Sequence, residues 1–242
     1  MSPKHTQSLP DWERVLSAAA RLQTFLPQAV LVGGTASAIH ASHRFSRDAD
    51  HVLIDLKPRF DAILAELESV AGWKTARIQR PVLILGSLDG IETGIRQLIR
   101  DQPLETMDIE SGGERIRIPT LSEILRIKGV LILKRNATRD YLDFVALASR
   151  MDMAEIKAAL SPFDALYPQP NGQSALQQLH IQLAQPMPFD LEETELPEYK
   201  NLAPQWHEWP SVKAVCVQIA SGLFDALGDE QQPSMLDKSI HP

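Results

Sequence analysis

The chain has 242 residues, a formal net charge of −7 at pH 7, 44% hydrophobic residues and a single cysteine, Cys216. No segment approaches the roughly 20 consecutive apolar residues of a membrane span, and the polar first residues lack the apolar core of a signal peptide. We therefore expect a cytoplasmic globular protein with no membrane partner. One cysteine excludes an internal disulfide and a cysteine-rich zinc site, and Cys216 within KAVCVQIA is expected to pack in a helix.

The charge is unevenly distributed along the chain. Residues 151–242 hold 4 Lys and Arg against 13 Asp and Glu, whereas residues 1–150 hold 20 against 18. The acidic excess therefore belongs to the C-terminal part. The more basic segment 72–139 could face a phosphate backbone, with an ordinary solvated surface as the alternative. Its basic residues of interest are Lys74, Arg77, Arg80, Arg96, Arg100, Arg115 and Arg117.

Strands and helices alternate along the first 150 residues. Apolar periodicity predicts helices over residues 11–25, 58–71, 121–133 and 136–149, and strands over residues 29–32, 51–56, 73–78, 82–85, 90–99 and 114–118. Beyond residue 150 the pattern changes to short helices, over residues 153–160, 174–183 and 211–227, separated by proline-rich stretches. We expect an α+β fold in three parts: a first domain over residues 1–150, a helical companion region over 151–228 and a loose tail over 229–242.

The stretch LVGGTASAIHASHRFSRDADHVLID combines a glycine turn with two closely spaced carboxylates. Gly33, Gly34 and Thr35 form a turn between a short strand and a helix-prone segment. Such glycines let the backbone approach a phosphate chain, while helix amides and the hydroxyl point at anions. Asp48 and Asp50 lead into the next strand and share one face of it, because alternate side chains of a strand point the same way. Two adjacent carboxylates repel unless a cation lies between them, and a divalent metal is the usual resolution.

Further groups that suit phosphate chemistry follow along the chain. Glu92, in the predicted strand GIETGI, is the expected third carboxylate, with Asp89 as the alternative in a turn-like sequence. Lys128 lies among the apolar residues of its predicted helix, where its side chain could reach a nucleotide phosphate or simply be solvated. Arg139 and Asp143 are spaced i, i+4 and are expected to pair on the surface of their helix.

The segments GGTA, HRFSRDAD and PTLSEILRIKGVLILKRNATRDYLDF together resemble the AbiEii-type nucleotidyltransferases, toxins of abortive-infection systems, and their MenT relatives, over about residues 25–150. The resemblance implies the polymerase β-like nucleotidyltransferase fold, a mixed β-sheet flanked by helices, here with a helical C-terminal region. Two features depart from the family pattern. The segment between Thr35 and Asp48 is slightly long and contains His40 and His43, and the third carboxylate, Glu92, is more often Asp.

The resemblance also implies roles for individual residues. Gly34 and Thr35 would meet the nucleotide phosphates, and Asp140 would position a base or a basic side chain. The residues predicted to bind the nucleotide are Gly33, Gly34, Thr35, Lys128 and Asp140, and those predicted to be catalytic and to bind metal are Asp48, Asp50 and Glu92.

The predicted activity is that of an EC 2.7.7-type enzyme, which moves an NMP group from an NTP to an acceptor hydroxyl and releases pyrophosphate. The acceptor would be the 3′ end of a tRNA or a protein. The expected cofactors are two Mg²⁺ ions, with Mn²⁺ as the alternative, and a cognate antitoxin is a further expected partner. Two other hypotheses stay open: adenylylation of a small-molecule antibiotic, and a catalytically inactive binding module of the same fold.

Overall fold

The computed structural model describes residues 12–170 and 172–229 of the chain. Its helices are α1 (Trp12–Phe25), α2 (Gly33–Ala41), α3 (Leu56–Ser69), α4 (Leu121–Arg135), α5 (Thr138–Ala148), α6 (Met153–Leu160), α7 (Phe163–Leu166), α8 (Ala175–Ala184) and α9 (Trp209–Asp229). Its strands are β1 (Val30–Leu31), β2 (Asp48–Leu53), β3 (Trp73–Gln79), β4 (Leu83–Leu88), β5 (Ile91–Gln97), β6 (Thr106–Ser111) and β7 (Glu114–Pro119). The predicted polar lead, the predicted helix start at Asp11 and the predicted tail beyond Asp229 lie outside the described residues.

Five strands form a mixed sheet in the order β1-β2-β5-β4-β3. Strands β2 and β5 run parallel, while the other neighbouring pairs in this sheet are antiparallel. Strands β6 and β7 form a separate antiparallel pair, and β6 and α7 have no counterpart in the sequence-based prediction. The predicted α+β fold, a mixed sheet flanked by helices, is confirmed.

The structure corrects two boundaries next to the glycines. Helix α2 begins at Gly33, so the glycines form its first turn and do not make a separate turn before Ala36. Strand β2 begins at Asp48 and not at His51, because its pairing with β5 extends back to the register pair of Asp48 and Glu92. Both aspartates therefore lie within a strand.

One face of the five-stranded sheet is covered by helices. Leu22 of α1, Ile63 of α3 and the strand residues Ile84 and Ile95 belong to one buried apolar cluster. A second cluster joins Ala49 of β2 to α1 and β7. Along each strand, the side chains that alternate with the buried ones point to the opposite face of the sheet. That face remains available for a site.

A larger helical core crosses the expected boundary near residue 150. Leu125 and Phe144 lie in the same buried cluster as Phe163, Leu179 and Cys216 from beyond that boundary. Cys216 is fully buried in α9, as expected. The division into three parts stays a prediction, but the helices on both sides of residue 150 share one core.

Within residues 12–170 and 172–229, no helix combines the length and the apolar character needed to cross a membrane.

Candidate active site

Three acidic side chains lie on the open face of the sheet. Strand register places Asp48 of β2 opposite Glu92 of β5 and Asp50 opposite Gly94. Register partners on adjacent strands point to the same face of a sheet, as do alternate residues along one strand. Asp48, Asp50 and Glu92 accordingly line one cavity, while Ala49 between the two aspartates is fully buried on the other face.

Gly94 provides the space in which the Asp50 carboxylate lies. A Cβ atom at Gly94 would be 2.5 Å from Asp50 Oδ1 and 2.9 Å from Leu85 Cδ2. Burial raises the pKa of Asp50, the Arg96 charge opposes that shift, and the nearby Asp48 charge adds to it. A cation beside the two aspartates would offset both the burial and the mutual repulsion of the carboxylates.

The first turn of α2 adjoins this carboxylate. Gly33 has a φ of 70°, a conformation that favours glycine, and a Cβ atom there would be 3.6 Å from Asp50 Cβ. Val32 and Gly33 line the cavity. The first amides of a helix have no intrahelical acceptor and carry a partial positive charge, so this end of α2 suits an anion.

Thr35 has a different role from the one expected. Its buried hydroxyl donates a hydrogen bond to the backbone oxygen of Asp48 at 2.5 Å and therefore does not point at an anion. The bond ties the first turn of α2 to the start of β2. A contact between Thr35 and nucleotide phosphates stays a prediction, which would rest on the backbone amide.

The cavity beside these elements has a volume of about 860 Å³, toward the upper end of the range for small-molecule sites. Its charged lining residues are Asp48, Asp50, Glu92, Arg96, Arg135 and Arg139. Its apolar and aromatic lining includes Val52, Leu85, Leu98, Ile99, Ile127, Leu131 and Tyr167. Carboxylates, guanidinium groups and an apolar wall together suit a ligand with a phosphate chain and a flat heterocycle.

Asp140 fixes one of these guanidinium groups. Its fully buried carboxylate accepts hydrogen bonds from Arg135 Nη2 at 2.7 Å and from Arg135 Nε at 3.1 Å. A two-bond contact of this kind restricts the orientation of the guanidinium plane. Asp140 is thus arranged to position a basic side chain at the cavity, and its direct contact with a nucleotide stays a prediction.

A second buried aspartate, Asp143, is surrounded by basic side chains directly behind α2. It accepts hydrogen bonds from Arg44 Nε at 2.7 Å and Nη2 at 2.9 Å, and from His43 Nε2 at 2.8 Å. Lys128 Nζ lies 2.7 Å from Asp143 Oδ2. The predicted surface pairing of Asp143 with Arg139 is wrong, because Asp143 is fully buried and faces the protein interior.

Lys128 is therefore held in a buried ion pair. It is 3% exposed, and it does not belong to the cavity lining given by the described residues. Its charge still acts on the site, since it opposes the rise in the pKa of Asp50. A direct contact of Lys128 with the triphosphate stays a prediction.

Arg44 in turn lies against the glycines of α2. A Cβ atom at Gly34 would be 2.5 Å from Arg44 Nη2, so only glycine fits there without displacing the guanidinium. Sequence reasoning missed this role of Arg44, although the residue lies within the quoted segment HRFSRDAD. His40 and His43 also serve the structure, since His40 donates a hydrogen bond to Pro119 O at 2.8 Å and His43 binds Asp143.

The two candidates for the third carboxylate lie in different surroundings. Glu92 lines the cavity beside Asp48, whereas Asp89 lies in the β4–β5 turn and pairs with Arg21 of α1.

Within the described residues, no group of three His, Cys, Asp or Glu side chains is arranged to hold a metal ion. The three predicted metal ligands share a face but are not drawn together, which is consistent with the repulsion between like charges.

The predicted basic surface is not continuous. Arg100 is buried in an ion pair with Glu123, Arg80 pairs with Asp61, and Arg115 and Arg117 of β7 pair with Asp108. Lys74 and Arg77 of β3 instead pair in register with Ser87 and Leu85 of β4. Those two β4 residues pair in turn with Glu92 and Gly94 of β5. Three of the seven basic residues therefore lie on the sheet face that carries the aspartates: Lys74, Arg77 and Arg96.

One further cation, from the C-terminal region, lies close to Asp48. Lys200 Nζ lies 4.0 Å from Asp48 Oδ2. Burial lowers the pKa of Lys200, and the Asp48 charge opposes this. Sequence reasoning missed Lys200. One feature of the sequence does set this residue apart, since no other Lys or Arg occurs between Lys157 and Lys213.

An Asp-x-Asp strand that presents its carboxylates beside the glycine-rich start of a helix, on a mixed sheet, defines a nucleotidyltransferase. A family model described as "Nucleotidyl transferase AbiEii toxin, Type IV TA system" matches residues 14–211. The chain belongs to this family of nucleotidyltransferase enzymes, and the predicted resemblance is confirmed.

Two solved structures are similar to this chain, and the first of them supports the fold. A presumed nucleotidyltransferase from H. pylori superposes with a TM-score of 0.57 at 14% identity, over 94% of this chain and 100% of that one. The antibiotic-resistance factor ANT(2″)-Ia, in complex with adenylyl-2″-tobramycin, superposes with a TM-score of 0.49 at 9% identity, over 64% of this chain and 98% of that one.

Curated relatives are much longer than this chain. The "Mycolic acid-containing lipids exporter MmpL11" of Mycolicibacterium smegmatis is 27% identical over 220 residues, which are 89% of this chain and 22% of that protein. The "Heme uptake protein MmpL11" of Mycobacterium tuberculosis is 34% identical over 129 residues, which are 52% of this chain and 13% of that protein. The chain thus spans less than a quarter of the length of either relative.

Proposed function

We propose that this protein transfers a nucleoside monophosphate from an NTP to the 3′-terminal hydroxyl of an RNA such as a tRNA, in a metal-dependent reaction, and acts as the toxin of a toxin–antitoxin pair. The observation that carries the proposal is the register of β2 and β5, which aligns Asp48, Asp50 and Glu92 on one wall of a cavity beside the first turn of α2. The family membership supports the toxin assignment and a cognate antitoxin as partner.

Asp48 and Asp50 suit a divalent metal by their chemistry. Mg²⁺ and Mn²⁺ prefer oxygen ligands, and two carboxylates on one face of a strand supply them. Gly94 leaves room for the Asp50 carboxylate, whose raised pKa reflects burial without a matching counter-charge. A metal held there would supply charge neutralisation for the phosphates of the nucleotide.

The residues of the chain then divide the work of transfer. The first amides of α2 and the guanidinium groups of Arg135 and Arg139 hold the triphosphate, with Asp140 fixing Arg135. The acceptor oxygen attacks the α-phosphorus, the bond from that phosphorus to the bridging oxygen of pyrophosphate breaks, and the hydroxyl proton passes to Glu92. Most of the rate acceleration comes from alignment and charge neutralisation, which need few reacting protein groups.

The distribution of basic side chains favours an RNA acceptor. Lys74, Arg77 and Arg96 lie on the same sheet face as the aspartates. Strand β3 is also the edge of the sheet, and all of its residues after Trp73 are exposed. Positive side chains along a solvent-accessible edge suit a phosphate backbone whose end enters the cavity.

The test is transfer of label from each α-³²P-labelled NTP to total RNA, with Mg²⁺ or Mn²⁺ and the purified full-length chain. We expect an RNA extended at its 3′ end, no transfer to RNA whose 3′-terminal ribose has been oxidised, and no transfer in EDTA. Asp48→Asn should lower the rate by about 100-fold or more. The exposed Asp101→Asn, which changes the same functional group outside the cavity lining, should leave the rate unchanged.

Other acceptors give distinguishable results. If label appeared on protein or on an added aminoglycoside such as tobramycin, and not on RNA, the labelled molecule would take the place of RNA as the acceptor in this proposal. Wild-type protein that transfers no label to any of these acceptors, and that binds NTP no better than Asp48→Asn, would refute the nucleotidyl-transfer proposal altogether.

A further inference from the structure

A short C-terminal segment, Tyr199 to Ala203, is held against the start of the Asp48 strand. The Phe45 amide donates to the Lys200 carbonyl at 2.9 Å, and the Ala203 amide donates to the His43 carbonyl at 2.7 Å. These two bonds connect the segment to the loop between α2 and β2, and so fix its distance from the site.

The side chain of Tyr199 adds a second attachment. Its ring lies under the guanidinium of Arg44, with the Arg44 Cζ atom 5.8 Å from the ring centroid. Because Arg44 is itself bonded to Asp143 and packed against Gly34, the segment is tied to the first turn of α2.

The backbone of the segment is unusual. Lys200 and Asn201 have φ angles of 47° and 53°, in the left-handed region that residues other than glycine rarely adopt. Such conformations cost free energy and persist where the surroundings determine them, frequently at functional sites. Lysine has no intrinsic preference for this conformation, so the hydrogen bonds between the segment and the loop before β2 hold Lys200 in it.

The ammonium group of Lys200 lies beside Asp48, a cavity residue, although Lys200 is not itself among the residues that line the cavity. It is 4.0 Å from Asp48 Oδ2, and its side chain is 29% exposed. The charges of Arg44, Arg47 and Arg139 also act on it. Lys200 therefore adds a cation to an already positive environment, with a single carboxylate at a distance too long for a strong hydrogen bond.

Lys128 and Lys200 differ in their freedom to meet a ligand. Lys128 is 3% exposed and contacts Asp143 at 2.7 Å, so a phosphate could reach it only if that pair broke. Lys200 could turn from Asp48 toward a phosphate beside it with little loss, because its present contact is long and partly exposed.

We propose that Lys200 is a substrate-binding residue, whose ammonium group binds the phosphates of the NTP beside Asp48, so that the segment Tyr199 to Ala203 completes the nucleotide site. This inference rests on the proposed function, since it assigns a phosphate ligand to that same site. It also gives the helical C-terminal region a direct part in nucleotide binding.

The test uses substitutions that separate charge from backbone conformation. Lys200→Asn removes the ammonium group, and asparagine tolerates the left-handed region better than lysine, so the free energy of unfolding should be unchanged or higher. We expect the KM for NTP and the inhibition constant for inorganic pyrophosphate to rise about tenfold, the loss of one charge-assisted contact. Lys200→Arg should restore most of the affinity, and Lys213→Asn, at an exposed position of α9, should change neither constant.

The outcomes distinguish the inference from the function on which it rests. Wild-type transfer with an unchanged KM for NTP in Lys200→Asn would overturn the inference and leave the proposed function intact. A change confined to the KM for the RNA acceptor would also overturn it. Failure of the wild-type protein both to bind NTP and to transfer label would remove the proposed function and this inference together.

Discussion

Asp143 determines the arrangement of the basic side chains behind the site. Substituting Asp143→Asn would leave Arg44 and Lys128 buried without their counter-charge, and breaking a buried ion pair in this way costs about 3–5 kcal/mol. We therefore expect a large fall in the free energy of unfolding at pH 7, measured by urea denaturation. Asp61→Asn, which removes the exposed partner of Arg80, is the matched control and should change stability little.

The contribution of Asp143 should depend on pH in a defined direction. Burial raises the pKa of Asp143, but the Arg44, Lys128 and His43 partners outweigh burial and hold the pKa well below its usual value. A carboxyl group with a lowered folded-state pKa stabilises the fold above its unfolded pKa of about 3.9, and this stabilisation is lost as the pH falls through the folded-state pKa. The difference between wild type and Asp143→Asn should be constant from about pH 7 to 5 and shrink below about pH 4. A difference that grew on acidification would contradict this assignment.

Gly94 tests the placement of Asp50 by steric means alone. The Cβ atom of Gly94→Ala would lie 2.5 Å from Asp50 Oδ1, so the carboxylate must move. We expect about a 100-fold lower transfer rate, because small displacements of reacting groups have effects of this size, and a stability loss of about 1–3 kcal/mol from overpacking. Gly112→Asn is the control, because a Cβ atom there meets nothing within 4 Å and asparagine tolerates its φ of 59°. Equal rates for Gly94→Ala and wild type would show that Asp50 does not need its present position.

Strand β3 should influence the acceptor without influencing the nucleotide. Lys74→Glu with Arg77→Glu reverses two charges on the sheet face that carries the aspartates. We expect the KM for RNA to rise about tenfold. The slope of log KM against log salt concentration should decrease by about two, because two phosphate contacts are lost. The KM for NTP should not change. Arg115→Glu on β7, in the other sheet, is the charge-reversal control, and an equal effect of Arg115→Glu would mean that net charge and not the β3 edge matters.

At the scale of elements, apolar periodicity identified the sheet strands with buried faces and the long helices. Strand β6, TMDIES, escapes the same reasoning because it contains Asp108 and Glu110, residue types that are uncommon in strands, and because its position depends on pairing with β7. Helix α2 was shortened in the prediction because two glycines favour a turn locally, whereas the bonding of Thr35 and the packing of Arg44 favour the helix.

Sequence patterns placed Asp48, Asp50 and Glu92, which line one cavity, but they did not reveal contacts that depend on how distant elements pack. The spacing of Asp48 and Asp50 implies a shared strand face without further information. The partners of Asp143 could not be found in this way, because i, i+4 spacing points to Arg139, while the actual partners come from α4 and from the loop after α2. Lys200 lies still farther along the chain, in a region whose acidic composition suggests no phosphate contact.

At the scale of the whole molecule, the continuous helical core makes the parts of the chain depend on each other. Helix α4 approaches α8 so closely that a Cβ atom at Gly129 would be 2.9 Å from Leu179 Cδ2. A chain that ends at Arg150 would expose the buried faces of α4 and α5, including Leu125 and Phe144. We expect residues 1–150 to lack a cooperative urea transition and to associate in size-exclusion chromatography, since an exposed apolar surface of this size favours aggregation. The full-length chain should unfold in a single transition when followed by both tryptophan fluorescence and far-UV circular dichroism. A monomeric fragment with its own cooperative transition, or two separate transitions in the full-length chain, would instead support an independent N-terminal domain.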